Sequence, residues 1–144
     1  AYESLMSGLR GKSAEEMIAS IDTFIKEHQP EGEELSKLSG IKLQIKVGDL
    51  MKQSKTDDAL ALVDKHIADN KLEGEEKQGA LGVKMGPLLN SGKFTEAEKV
   101  IEQIIAAAPE SQAAKFAKGF KPRLAKMKAE AAKKNQPKEP STEE

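Results

Sequence analysis

The chain of 144 residues contains no cysteine and no tryptophan, and aromatic residues make up only 3% of it. Without cysteine there is no disulfide, no thiolate metal site and no thiol nucleophile. With so few aromatics, any core must be built from Leu, Ile, Val, Met and Ala, which suits helices packed on helices better than packed sheets. Imidazole is limited to His28 and His66, which are not paired at metal spacing, and no Ser-His-Asp arrangement rests on a suitable turn. No cofactor, metal or enzyme site is expected. Also missing are an apolar run near the roughly 20 residues of a membrane span and a charged-then-apolar leader, so a soluble chain is expected. A start at Ala1 fits either a processed export signal or a piece of a larger protein, which leaves cytoplasmic and exported locations both open.

What is present is charge, unevenly spread. Residues 1–110 carry 14 Lys/Arg against 20 Asp/Glu, whereas 111–144 carry 9 against 4. The acidic residues come as pairs, at Glu15-Glu16, Glu33-Glu34, Asp57-Asp58 and Glu75-Glu76, and then as Glu96 with Glu98. Each directly precedes an apolar-periodic stretch. Negative charge there meets the positive end of a helix dipole, so the pairs predict helix starts rather than acid/base chemistry. Ser13 with Glu16 and Thr95 with Glu98 have capping-box spacing, and Thr56 is placed to cap the helix that Asp57 enters.

Behind these starts run stripes at three and four residues: Met17, Ile18, Ile21, Phe24 and Ile25; Leu60, Val63 and Ile67; Ala97, Val100, Ile101, Ile104 and Ile105. Asn90-Ser91-Gly92 and Pro109 are helix stops. The stretch from Gly40 to Gly48 alternates apolar and polar residues like a strand, but no second alternating run exists to pair with it.

An internal comparison resolves it. Shifted by 38 residues, 43–69 lies over 81–107, matching Leu43 with Leu81, Lys46 with Lys84, Gly48 with Gly86, Leu50 with Leu88, Lys55 with Lys93, Ala59 with Ala97 and Ile67 with Ile105. A weaker third copy follows from a 42-residue shift that lays Met17, Ile21, Phe24 and Ile25 on Ala59, Val63, His66 and Ile67. Self-similarity at this spacing predicts stacked helical hairpins, none able to bury its apolar face alone. A first helix apolar on both sides, as 41–51 is, then packs between its own partner and the preceding unit. Residues 2–10, with Leu5, Met6 and Leu9, fit the end of a first helix. Pro87 is expected to kink the first helix of the last unit, and Gly79, Gly82 and Gly86 on one face suggest close approach of a neighbouring backbone.

The run Gly92, Lys93, Phe94, Thr95, Glu96, Ala97, followed by Ile101, Ile104 and Pro109, resembles the second half of a tetratricopeptide repeat. Ser54, Lys55, Thr56, Ala59, Val63 and His66 follow the same frame. The resemblance covers roughly residues 5–109 and implies an all-α fold: antiparallel helical hairpins stacked as a short array with a C-terminal helix, over 1–134, followed by a disordered tail or linker over 135–144 that is rich in proline and charge. It also implies a concave groove lined by the first helices, through Gln44, Gly48, Met51 and Lys52 in one unit and Gly82, Gly86, Leu89 and Asn90 in the next. Such a groove takes a protein or peptide partner.

Three features carry rival readings. Gly11-Lys12-Ser13 has part of a phosphate-loop pattern, but Met6 stands where the first glycine belongs and the pair recurs at Gly92-Lys93, so a hairpin turn is expected. His66 falls where other copies have Phe24 and Ile104, which predicts a core or half-buried side chain, and His28 lies in a last helical turn. Residues 113–134 hold eight basic residues against Glu130, with Phe116, Phe120, Leu124 and Met127 as an apolar stripe and Gly119 and Pro122 expected to bend it. That segment either caps the array, fills its groove, binds a partner, or contacts nucleic acid or an anionic membrane. The functions left open are a scaffold module, an accessory part of a larger enzyme, and a basic-helix binder.

Overall fold

The computed structural model describes residues 2–134. Among them are eight helices: α1 (Tyr2–Gly8), α2 (Ala14–His28), α3 (Gly32–Lys52), α4 (Thr56–Asp69), α5 (Gly74–Val83), α6 (Met85–Asn90), α7 (Phe94–Ala107) and α8 (Gln112–Lys134). No strand occurs among the described residues, and the alternating stretch lies inside α3. The expected tail at 135–144 lies outside the described residues. No described helix is long and apolar enough to cross a membrane.

Every acidic pair falls in a first turn: Glu15 and Glu16 of α2, Glu33 and Glu34 of α3, Asp57 and Asp58 of α4, Glu75 and Glu76 of α5, with Glu96 in α7. Ser13 caps α2 as its spacing predicts, its hydroxyl accepting from the Glu16 amide at 3.2 Å. Thr56 and Thr95 do not cap. Both lie inside their helices, because a backbone turn already closes the entry: the Lys55 and Lys93 amides donate to the Leu50 and Leu88 carbonyls at 2.9 and 2.8 Å. The Thr56 hydroxyl instead accepts from Ser91 at 3.1 Å, joining the two turns.

Helices close in sequence pack on one another, α1 on α2, α2 on α3, α3 on α4 and α5, α4 on α5, α5 and α6 on α7, and α7 on α8. The apolar interior accordingly divides into three clusters in chain order. The first joins Leu9, Ile21, Phe24 and Leu38; the second Leu43, Val47, Ala59, Val63 and Ala80; the third includes Leu81, Leu88, Ile101, Ile104 and Leu124. Ion pairs cross each seam, from Lys42 to Asp22, from Lys93 to Asp57 and from Lys128 to Glu98. Exposed pairs of this kind contribute at most about 1 kcal/mol each, so burial dominates.

The repeat is visible in the element boundaries. Thr56–Asp69 and Phe94–Ala107 are equal in length and lie 38 residues apart, and α3 and α6 end at Lys52 and Asn90 with the same offset. Turn geometry repeats as well, with Ser54 at φ 60° where the next unit has Gly92 at φ 70°. Inward positions coincide: Ala59 and Val63 of α4 match Ala97 and Ile101 of α7, all buried. Pro87 acts as expected. It has no N–H to offer the Val83 carbonyl, and the helix divides there into α5 and α6 across Lys84, whose φ and ψ of −68° and −26° stay near helical.

One expectation fails in the C-terminal third. The helix α8 continues through Gly119 and Pro122; Pro122 is exposed, so water can serve the carbonyl that its ring leaves without a donor. Of the expected apolar stripe, Leu124 is buried in the third cluster with Phe120 packed against it, but Phe116 is 77% exposed, and Ala114 and Ala117 are buried instead. Alanines let two helices approach closely, and that rotation carries Phe116 outward.

Candidate functional site

Because α3 packs beside both α4 and α5, its remaining face and that of α5–α6 bound an open groove. One end is a concavity of about 400 Å³ lined by Gln44, Gly48, Met51, Gly82, Gly86 and Asn90, together with Val47, Gly79, Val83 and Pro87. The other end, about 540 Å³, is lined from both helices by residues that include Leu35, Ser36, Gly40, Glu75, Glu76 and Gly79. Gln44, Gly79 and Val83 belong to both, so the two run into one another along the helices.

Of the eight residues the repeat resemblance assigns to a groove, six therefore meet in one hollow. Lys52 and Leu89 lie outside it. Lys52 is the last residue of α3 and points to solvent, and Leu89 packs against the third apolar cluster beside Leu88. One turn of α6 cannot turn both leucine and asparagine the same way: Asn90 is exposed, one residue and about 100° further round.

The glycines of this face correct the sequence reading. Gly79, Gly82 and Gly86 do not admit a neighbouring backbone, since a Cβ built on any of them would meet nothing within 4 Å, and the same holds for Gly40 and Gly48 of α3. None of the five has a positive φ. Each costs a helix interior about 0.5–1 kcal/mol relative to alanine, and neither turn geometry nor internal packing requires it. All five line the groove. Their effect is to keep its floor low and its helix backbones accessible.

No residue of α8 lines this groove, which sets aside the alternative that the C-terminal helix fills it. Nor does Gly11-Lys12-Ser13 form a phosphate loop, as Gly11 supplies a turn at φ 78°, Lys12 Nζ donates to Ser20 Oγ at 3.1 Å and Ser13 caps α2. No group of three His, Cys, Asp or Glu side chains that could hold a metal ion occurs among the described residues.

His66 stands at the lip of the wide end, half-buried as its repeat position predicts. Asn70 fixes it: the amide donates to the His66 carbonyl at 2.8 Å and lies 3.3 Å from Nδ1. Burial, then the nearby Lys46 charge, push the imidazole below its ordinary value, with Asp69 opposing. The folded chain thus binds this proton less readily than the unfolded one, so the stability contribution is whole above the ordinary histidine value near 6.5 and is lost as the pH falls below it. Thermal melts between neutral and mildly acid pH should show that loss, and it should shrink in His66→Phe, which carries no titrating group.

No known protein family, curated protein or solved structure matches the chain. The groove must be judged on its own chemistry. It offers amide groups at Gln44 and Asn90, a thioether at Met51, open backbone between them and, at the wide mouth, the carboxylates of Glu33, Glu75 and Glu76, the last accepting from Ser36 Oγ at 3.3 Å. Such a surface can hold a chain and fix its direction.

Sequence reasoning missed the most connected polar side chain, Gln78 of α5. It is buried, its amide donates to the Ile104 and Ala108 carbonyls at 2.6 and 3.0 Å, and it accepts from Ser111 Oγ at 2.9 Å. The available signal was its position in the stripe Gln78, Leu81, Met85, Leu88, where an apolar residue is due.

Proposed function

We propose that the chain is a non-enzymatic protein-interaction module, a short tetratricopeptide-like array whose α3–α5–α6 groove binds a peptide or helix from a partner. The observation that carries this reading is the glycine floor. Five helix-interior glycines that nothing in the chain packs against are a standing cost to stability, and a partner lying close over exposed helix backbone is a use that accounts for all five at once. The repeat offset of 38 between α4 and α7 supports the array, and the six converging residues support the site.

Selection of a random peptide library against the full chain tests it, with Gly48→Leu/Gly82→Leu as the filled-groove control. Both leucines enter open space and raise helix propensity, so the double variant is expected to melt at or above the wild-type temperature. Selected peptides should lose at least about tenfold in affinity for it, roughly 1.4 kcal/mol. Equal binding to both proteins would remove the groove from the function.

A further inference from the structure

We propose that the groove also takes a second copy of this chain, offered through the outer face of α8, so that the protein associates head to tail. The inference rests on the groove reading above and names one occupant for it. Among the described residues two large apolar side chains are exposed, Leu35 at 37% and Phe116 at 77%. They stand in opposite electrostatic surroundings. Leu35 lines the wide mouth of the groove with Glu33, Glu75 and Glu76, against the single cation Lys37. Phe116 stacks on Phe120, ring centroids 6.4 Å apart and planes 11° from parallel, on a helix that also exposes Lys115, Lys118, Arg123 and Lys126. None of those four makes an ion pair among the described residues, while Lys121 and Lys128 of the same helix pair with Glu102 and Glu98 of α7.

An apolar spot within an acidic rim and an aromatic pair within a basic field are complementary in both charge and polarity. They cannot satisfy each other within one molecule. Ala117 and Leu124 hold α8 along α7, and no α8 residue lines the groove of its own chain. The two surfaces can meet only between copies. Because donor and acceptor are different patches, the contact is heterologous and leaves one free donor and one free acceptor at the ends of each assembly, which permits growth beyond a dimer.

Sedimentation of the full chain over a wide concentration range, at about 0.02 M and about 0.5 M salt, reads this directly, since the shorter screening length at high salt weakens contacts between exposed charges. At low salt the mean mass should rise with concentration above the 15.6 kDa of one chain, and return towards it at high salt. Phe116→Glu disables the donor and Glu75→Lys/Glu76→Lys the acceptor; all three positions are exposed, and circular dichroism checks that both variants stay helical. Each variant alone should remain monomeric. Mixed in equal amounts they should form a dimer of twice the single-chain mass, since each retains the site the other has lost. A wild-type chain that stays monomeric throughout, variants that associate like wild type, or an associating wild type whose mixed variants do not pair would each overturn the proposal. A monomer that still binds groove-selected peptides would overturn this inference and leave the groove reading standing.

Discussion

Gln78→Ala is expected to lower stability by about 2–3 kcal/mol, and the melting temperature by roughly 5–10 °C for a chain of this length. The reason lies at the end of α7. That helix stops at Ala107 before Pro109, and its last carbonyls lack intrahelical donors. Gln78 supplies them from another helix, reaching Ile104 and Ala108, while Ser111 closes the circuit by donating to Gln78 and accepting from the Ala114 amide at 3.0 Å as the first cap of α8. No buried side-chain polar atom among the described residues is without a partner. Alanine would leave carbonyls facing an unfilled space, and the penalty comes from those orphaned groups more than from the lost bonds.

A double-mutant cycle separates this account from a simple loss of volume. Ser111→Ala alone should cost about 1 kcal/mol as a lost cap. Combined with Gln78→Ala it should cost less than the sum, because the two side chains share one network. Strictly additive losses, or a Gln78→Ala loss below about 0.5 kcal/mol, would show that the circuit is not a unit. Hydrogen exchange should speed first in α8, whose start it anchors.

Helices and their order were legible because three signals agree along the chain: acidic first turns, apolar stripes at three and four, and glycine or proline stops. The internal repeat made even the strand-like stretch readable, since 43–69 had to share a structure with 81–107 and self-similarity at that spacing predicts stacked helical hairpins. What failed is what depends on neighbours. Thr56 and Thr95 have cap chemistry, but a backbone turn had already occupied the capping position. Phe116 matches the apolar period of α8 better than Ala114 does, yet Ala114 is buried and Phe116 exposed, which depends on how α8 sits against its neighbours. A glycine row looks the same whether a backbone or open space lies opposite, so its meaning in the groove required the fold. Gln78 was invisible because its partners lie 26 to 33 residues away.

Leu38→Ala should cost about 3 kcal/mol, within the range for a leucine that leaves a cavity when truncated, yet its damage is expected to stay in the N-terminal part. Leu38 is fully buried at the seam where α3 meets α2, beside Leu9, Ile21 and Phe24. From there α1 and α2 reach the rest of the molecule chiefly through α3. In an array of units held by nearest-neighbour seams, stability is close to a sum of local terms, and a weakened end unit opens before its neighbours do. Hydrogen exchange in the variant should therefore show α1 and α2 losing protection by orders of magnitude more than α7, whose own cluster of Val100, Ile101 and Ile104 is untouched. Uniform loss of protection from α2 to α7 would mean that the three clusters melt as one core. Local loss would mean that the chain stores its stability seam by seam, so that an end unit could open while the groove between α3 and α5 keeps its shape.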